Sequence, residues 1–176
     1  MNLMEKGLPD TVIIGGKPFL INTDFRVWMR FCNAFERWSR EINLDISYIF
    51  AENIPPIENS ADMQAILNFA YPPVSIPKGS GGGDRVIDYE VDADYIYSAF
   101  LGQYGIDLTE TDMHWHKFRA LLNGLNSSTR MYEIMGYRCY EGKDKDYIKL
   151  RNAWELPVEL SAAQSEQIDE FDKYFE

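Results

Sequence analysis

The second half of the chain carries apolar residues at helical spacing, interrupted by residues that begin and end helices. Four such segments follow one another, at about 92–105, 109–125, 127–142 and 146–156. Their first residues are Asp, Thr or Ser, whose side chains cap helix N-termini, while Gly105 and Pro157 are typical of helix ends. Short amphipathic helices are stable only when their apolar faces are buried against other elements, so the pattern predicts a helical bundle.

The first half combines a hairpin with further helices. Two short apolar runs flank Gly15-Gly16, a pair that supplies the positive φ angles of a tight turn, so residues 11–21 are predicted to form a β-hairpin. A helix is expected after Asn22-Thr23-Asp24 up to about Trp38, and shorter helices at 44–51 and 60–70. The predicted fold class is therefore mainly α with a short N-terminal β-hairpin, in a single-domain helical bundle.

The first helix is predicted to have an apolar and a basic face. The expected inner residues are Phe25, Trp28, Met29, Cys32 and Phe35. The opposite face would hold Arg26, Arg30, Asn33 and Arg37. Such a basic stripe in an acidic protein has two interpretations: a solvated face with local ion pairs, or a contact surface for an acidic partner or for the protein's own acidic end.

One helical domain is expected over residues 1–156, with a flexible connector at 72–88 and an acidic segment at 157–176. The connector is rich in Pro and Gly and lacks helical periodicity, although residues 86–89 fit a short strand. The acidic segment is predicted to contain an amphipathic helix from Ser161 with a thin apolar stripe: Ile168, Phe171 and Phe175. An acidic end suits either a solvated tail or a binding element.

Charge and composition narrow the function classes. The chain has 28 acidic and 17 basic residues and a formal net charge of −11, which disfavours binding to nucleic acid or to an anionic membrane. Residues 1–10 do not fit a signal peptide, and no apolar run approaches the ~20 residues of a membrane span. Two cysteines in 176 residues do not form a disulfide framework, so a cytoplasmic location is expected.

The sequence Asp112-Met113-His114-Trp115-His116 invites a metal site. On a strand, the acid and both histidines would share a face and could bind zinc. On a helix, residues two apart point in nearly opposite directions and cannot share a metal. The downstream periodicity favours the helix, so we expect structural roles for His114 and Trp115, an outward-facing His116, and no metal or other cofactor.

Arg138 is expected on the inward face of its helix, among Met131, Ile134 and Met135. A buried arginine needs a carboxylate partner, so we predict a structural clamp, with Asp107 or Asp94 as candidate partners. The sequence offers no Gly-x-Ser-x-Gly motif and no clear Cys–His pair, so no catalytic residue is predicted.

Three blocks of the sequence resemble the bacteriophage gene-product-fifteen family, found in the tail gene clusters of long-tailed phages and prophages of Gram-positive bacteria. These blocks are residues 95–108, residues 113–122, which begin with Met113-His114-Trp115-His116, and Glu133-Ile134-Met135-Gly136-Tyr137-Arg138. The N-terminal Leu8-Pro9 and the run from Asn22 to Trp28 extend the resemblance over roughly residues 3–154. At the position of His116 the family prefers an aromatic residue.

The resemblance implies a binding protein rather than an enzyme. Genes of this family usually precede the tape-measure gene, the position typical of tail assembly chaperones, which coat the tape-measure chain while the tail tube polymerises. The expected partners are therefore the tape-measure protein and other tail assembly proteins, in the cytoplasm of the bacterial host. The candidate binding residues are Arg26, Arg30, Arg37, Ile168, Phe171 and Phe175.

Several alternatives stay open at this point. The protein could instead be a minor structural component that is retained in the virion, or an enzyme whose site the sequence hides. The edge of the predicted hairpin could also pair with a second copy of the chain to form a homo-oligomer.

Overall fold

A computed structural model describes residues 7–37, 44–72 and 85–157 of the chain. The predicted terminal helix and most of the predicted connector, residues 73–84, lie outside the described residues. In chain order the elements are β1 (Thr11–Ile14), β2 (Lys17–Leu20), α1 (Phe25–Glu36), a 3₁₀ turn (Ser47–Ile49), α2 (Ser60–Ala70), α3 (Ala93–Tyr104), α4 (Trp115–Asn123), α5 (Arg130–Arg138) and α6 (Lys145–Ala153). The predicted fold class, mainly α with an N-terminal β-hairpin, is confirmed.

The N-terminal hairpin forms as the sequence predicts. Strands β1 and β2 are antiparallel, with Thr11 opposite Leu20. The turn between them places Gly15 at φ 56° and Gly16 at φ 76°, a conformation that L side chains rarely adopt. Val12 and Ile14 are buried while Ile13 is exposed, so one face of β1 joins the core, where it packs against α2.

Side-chain caps begin most of the helices. The carboxylates of Asp24 and Asp144 accept hydrogen bonds from the first backbone N–H groups of α1 and α6, and Asn59 does the same for α2. At the other end of α3, Gly105 takes the left-handed conformation, with φ 66°. The helices predicted at 60–70, 92–105 and 146–156 are thereby confirmed to within a few residues at each end.

The helix predicted to begin at residue 109 begins six residues later. The carboxylate of Asp107 accepts hydrogen bonds from the backbone N–H and the hydroxyl of Thr109, which makes residues 108–110 a turn. The N-cap of α4 is His114, whose ring Nδ1 accepts from the backbone N–H of His116 at 3.0 Å. A local turn closed by a side chain therefore replaces the predicted first helical turns.

The helix predicted at 44–51 is reduced to the 3₁₀ turn, because the chain there pairs with the hairpin instead. The N–H of Asn22 donates to the carbonyl of Ile49, and the N–H of Ala51 donates to the carbonyl of Leu20. An extended Phe50 also forms a bridge with Ile21. Hydrogen bonds to a neighbouring strand thus outweigh local helix propensity.

Two other boundaries also differ from prediction. Residues 86–89 form no strand, because the carboxylate of Asp88 accepts from the N–H groups of Glu90 and Val91 and turns the chain towards α3. Helix α5 starts after its N-cap Thr129 rather than at Ser127, and it ends at Arg138 rather than near Gly142. In both places a side chain that accepts hydrogen bonds from nearby backbone N–H groups changes the local structure: Asp88 closes a turn, and Thr129 caps α5.

Aromatic side chains form the centre of the core. The ring of Phe118 stacks on Phe25 at 4.8 Å and on Phe100 at 5.0 Å, which joins α4 to α1 and α3. On the same inner face of α1, the ring of Trp28 lies 4.4 Å from that of Phe69 in α2. Phe31, which the predicted inner face omits, is also fully buried.

Candidate functional site

A surface groove of about 440 Å³ lies between α1 and α3. Buried Phe25, Ile96 and Leu108 form its floor, and half-buried Met29 and Tyr97 form its walls. The rest of its lining is three exposed residues: Arg26, Ala93 and Thr109. We call this feature the α1–α3 groove; its lining is mainly apolar, and the groove opens to solvent.

Arg26 closes one side of the α1–α3 groove. One of its guanidinium nitrogens lies 2.9 Å from the carboxylate of Asp24. The other donates to the carbonyls of Leu108 at 2.6 Å and Thr111 at 3.1 Å. The guanidinium also lies 4.5 Å above the ring of Phe25. Arg26 therefore ties α1 to the loop after α3, and its charge is already paired within the chain.

The surroundings of the groove are acidic. Asp107 accepts hydrogen bonds from Thr109 and from the Tyr97 hydroxyl at 3.3 Å, and the bonds from Thr109 hold the pKa of its carboxyl below the ordinary value. Asp94 and Glu110 are exposed and directly adjoin the lining residues Ala93 and Thr109. With Asp24 and the buried Asp92, five carboxylates adjoin lining residues in the chain.

The other two arginines of the predicted basic stripe make contacts in different directions. The guanidinium of Arg30 lies 4.0 Å above the ring of Tyr48. Arg37 pairs with Asp88 at 3.1 Å and with Glu90 at 2.9 Å. Arg26, Arg30 and Arg37 therefore serve three separate local contacts, and only Arg26 lines the groove.

The same face of α1 holds Asn33, which was predicted to be exposed but is buried. Its side-chain amide donates to Asp88 at 3.2 Å, and its carbonyl accepts from the N–H of Tyr89 at 3.1 Å. Arg85 also pairs with Asp88. No spacing in the sequence indicates the contacts of Asn33, because Asp88 and Tyr89 lie more than 50 residues away from it in the chain.

Arg138 forms an ion pair with Asp92, not with Asp107 or Asp94 as the sequence suggested. Its two terminal nitrogens lie 2.6 and 2.9 Å from the two carboxylate oxygens. Both side chains are buried, with 6% and 1% of their surface exposed. The guanidinium also donates to the carbonyls of Trp154 at 2.6 Å and Val86 at 2.9 Å. The pair therefore joins α5, the start of α3 and the segment after α6.

The two histidines also differ from prediction. His114 precedes the helix and donates from Nε2 to the carbonyl of Pro9 at 2.9 Å. His116, predicted to face outward, is buried and donates from Nε2 to the carbonyl of Phe69 at 2.8 Å. Burial lowers the pKa of both rings, that of His116 to about 4. Between them, Trp115 is fully buried and donates to the carbonyl of Ala70 at 2.9 Å.

Each histidine is thus engaged with a backbone carbonyl, in a position that suits a packing role. Within residues 7–37, 44–72 and 85–157, no three His, Cys, Asp or Glu side chains come together as metal ligands. Cys32 is fully buried, and burial raises the pKa of its thiol to about 12, whereas Cys139 is exposed.

A comparison with known protein families identifies a family that matches the chain. The family model described as Bacteriophage Gp15 protein matches residues 4–156, a range that contains the hairpin and all six described helices. The chain belongs to this family. As a Gp15-family member it is a phage-related protein, and the match includes every residue that lines the α1–α3 groove.

Searches of curated proteins and of solved structures give no match to the chain. None of the helices in the described part of the chain has both the length and the apolar character that crossing a membrane requires.

Proposed function

We propose that this Gp15-family protein is a tail assembly chaperone, which binds the tape-measure protein while the phage tail is built. The proposed role is binding, in the cytoplasm of the bacterial host, and involves no catalysis. Membership of a bacteriophage family supports a role in a phage. The gene order that the family resemblance implies supports the tape-measure protein as the bound partner, which we call the client.

The observation that carries the proposal is the mainly apolar lining of the open α1–α3 groove. A long helical client exposes an apolar stripe until the tail tube surrounds it, and such a stripe aggregates unless another surface covers it. Amphipathic helices dock in apolar grooves through side chains spaced three and four residues apart. A groove of about 440 Å³ takes only a few such side chains, which suits a client that must later be released.

Co-expression with a fragment of the tape-measure protein tests the proposal. We expect the intact protein to raise the soluble fraction of the fragment and to co-purify with it, whereas an unrelated acidic protein of similar size does neither. Failure of the intact protein in both assays would contradict the chaperone function.

Mass spectrometry of purified phage particles separates the proposal from the alternative of a minor structural component. A chaperone leaves when the tail is complete, so we expect the protein in lysates but not in purified particles. A constant number of copies per particle would instead identify a structural component.

The C-terminal candidate residues Ile168, Phe171 and Phe175 lie outside the described residues, and their role in binding stays a prediction. Truncation after Pro157 removes all three. If they contribute to client binding, the truncated protein should keep less of the tape-measure fragment soluble than the intact protein does.

A further inference from the structure

We propose that the α1–α3 groove selects a helix whose apolar stripe is flanked by Lys or Arg side chains. The inference deepens the proposed chaperone function, on which it rests for the identity of the client, because it names the chemistry that the client segment must have. It is carried by two features of the groove: its apolar floor and the carboxylates that surround it.

The carboxylates give the groove its charge preference. Asp24, Asp94, Asp107 and Glu110 each adjoin a lining residue in the chain. Asp92 also adjoins the groove but is buried and paired with Arg138. Arg26 pairs with Asp24, so these two charges cancel, whereas Arg30, which follows the lining residue Met29, adds one positive charge beside the ring of Tyr48. The three carboxylates of Asp94, Asp107 and Glu110 outnumber this cation. An incoming helix therefore meets a surface with excess negative charge.

The apolar floor determines which face of the helix enters. The lining of the groove is mainly apolar, so apolar side chains of a client fit it better than polar ones, which would lose hydrogen bonds to water. Lys and Arg have long aliphatic stems, which lie along apolar surface while the charged group stays in water. A basic flank thus fits both the walls and the carboxylates of the rim.

Electrostatic repulsion disfavours two other occupants of the groove. Residues 158–176 of this chain contain six acidic residues and one Lys, so the same carboxylates would repel them. A second copy of the chain carries a formal net charge of −11 and is repelled for the same reason. A separate, basic partner helix is the occupant that the charges favour.

The direct test uses the full-length protein and two labelled synthetic helices of about 20 residues. Both carry the same Leu stripe; one is flanked by Lys and the other by Glu, and binding is measured by fluorescence anisotropy. We expect the Lys peptide to bind at least tenfold more tightly than the Glu peptide, with a difference that shrinks at about 0.5 M salt because added ions screen exposed charges. Equal affinities would overturn the proposal.

Two single variants test whether the Lys peptide binds in the groove. Ala93→Trp fills the groove with a bulky side chain from an exposed position in the first turn of α3, and Ala61→Trp makes the same change in the first turn of α2, outside the groove lining. Circular dichroism checks that both are folded. We expect Ala93→Trp to weaken binding of the Lys peptide by at least tenfold and Ala61→Trp to leave it unchanged. The same affinity in both variants would refute binding in the groove.

Two double variants that reverse charge test whether the carboxylates beside the groove attract the peptide. Asp94→Lys/Glu110→Lys and Glu52→Lys/Glu155→Lys change the net charge equally at exposed positions, but only the first adjoins the groove. We expect the first to weaken binding of the Lys peptide by about tenfold, since it replaces two attractive charges by repulsive ones and each exposed ion pair contributes modestly. The second should weaken it much less; an equal loss would show that only net charge matters.

The remaining outcomes identify other occupants. If the Lys peptide binds only after truncation at Pro157, the chain's own tail fills the groove. If the protein self-associates and Ala93→Trp abolishes this, a second copy fills it. Either result overturns the inference. If Ala93→Trp still keeps the tape-measure fragment soluble, the groove inference is wrong while the chaperone function stands. If the intact protein binds the Lys peptide in the groove but leaves the fragment insoluble, the chaperone function fails alone.

Discussion

Removing the buried cation at Arg138 should destabilise the protein severely. In Arg138→Met the methionine keeps part of the aliphatic stem but loses the guanidinium, which leaves the Asp92 carboxylate without its cation. That carboxylate is 1% exposed, and its other hydrogen bond comes from the N–H of Asp88 at 3.0 Å. A carboxylate with so little access to water regains almost none of its hydration.

The magnitude follows from this burial. Breaking a buried ion pair by removing one partner costs about 3–5 kcal/mol, a large part of the roughly 5–15 kcal/mol of a typical domain. The carbonyls of Trp154 and Val86 also lose their donors. For a chain of this size we expect the unfolding midpoint to fall by roughly 10 °C or more.

Thermal and urea unfolding of four proteins measures the effect: wild type, Arg138→Met, Asp92→Asn and the double variant. Because each single change leaves the other group unpaired, the double variant should be more stable than the sum of the single losses predicts, by about 2 kcal/mol. Lys149→Met, which breaks the exposed pair with Asp146, serves as the control and should match wild type. A loss below about 1 kcal/mol in Arg138→Met, or strict additivity, would refute the reasoning.

Three further predictions concern titration, reactivity and backbone conformation. The pKa of His116 is about 4 when folded and about 6.5 when unfolded, so stability should be full above pH 6.5 and fall by up to about 3 kcal/mol towards pH 4. A His116→Phe variant that loses as much stability over this range would refute this. Under native conditions a thiol reagent should modify exposed Cys139 but not buried Cys32, whereas in denaturant it should modify both thiols. Rapid modification of both cysteines under native conditions would contradict this expectation. Gly105→Ala should lower the free energy of unfolding by about 1 kcal/mol because φ at this residue is 66°, whereas Gly136→Ala, inside α5, should not lower it. Equal effects of the two changes on denaturant unfolding would be inconsistent with this expectation.

The elements that the sequence predicts well are those whose signals are local. Gly15-Gly16 defines the hairpin turn, and Asp24 and Gly105 mark helix ends through their own side chain or φ angle. These features act within a few residues, so they are visible without knowledge of the fold.

The start of α4 shows how local signals also mislead. Thr109 and its neighbours have the composition of a helix start, yet the carboxylate of Asp107 holds Thr109 in a turn. The true N-cap is His114, a residue type that seldom caps helices but is held here by the carbonyl of Pro9, 105 residues away. The helix therefore begins where a distant contact fixes its cap.

The α1–α3 groove and its acidic rim could not be predicted from the sequence. Periodicity indicates that Phe25 and Ile96 are inward on their helices, but not that the two faces leave a gap between them. The basic stripe was visible as a pattern, whereas the carboxylates beside Arg26 come from a neighbouring residue and from segments about 70 to 85 residues away. Charge at a site depends on this assembly.

The most direct test of the central claim is co-expression of the tape-measure fragment with wild type, Ala93→Trp or Ala61→Trp. These two variants differ only in whether the added indole lies in the α1–α3 groove. The soluble fraction of the fragment should be high with wild type and Ala61→Trp and should fall to the level without chaperone with Ala93→Trp. A fragment that is equally soluble with both variants would contradict binding in the groove, and one that is insoluble even with wild type would contradict the chaperone function itself.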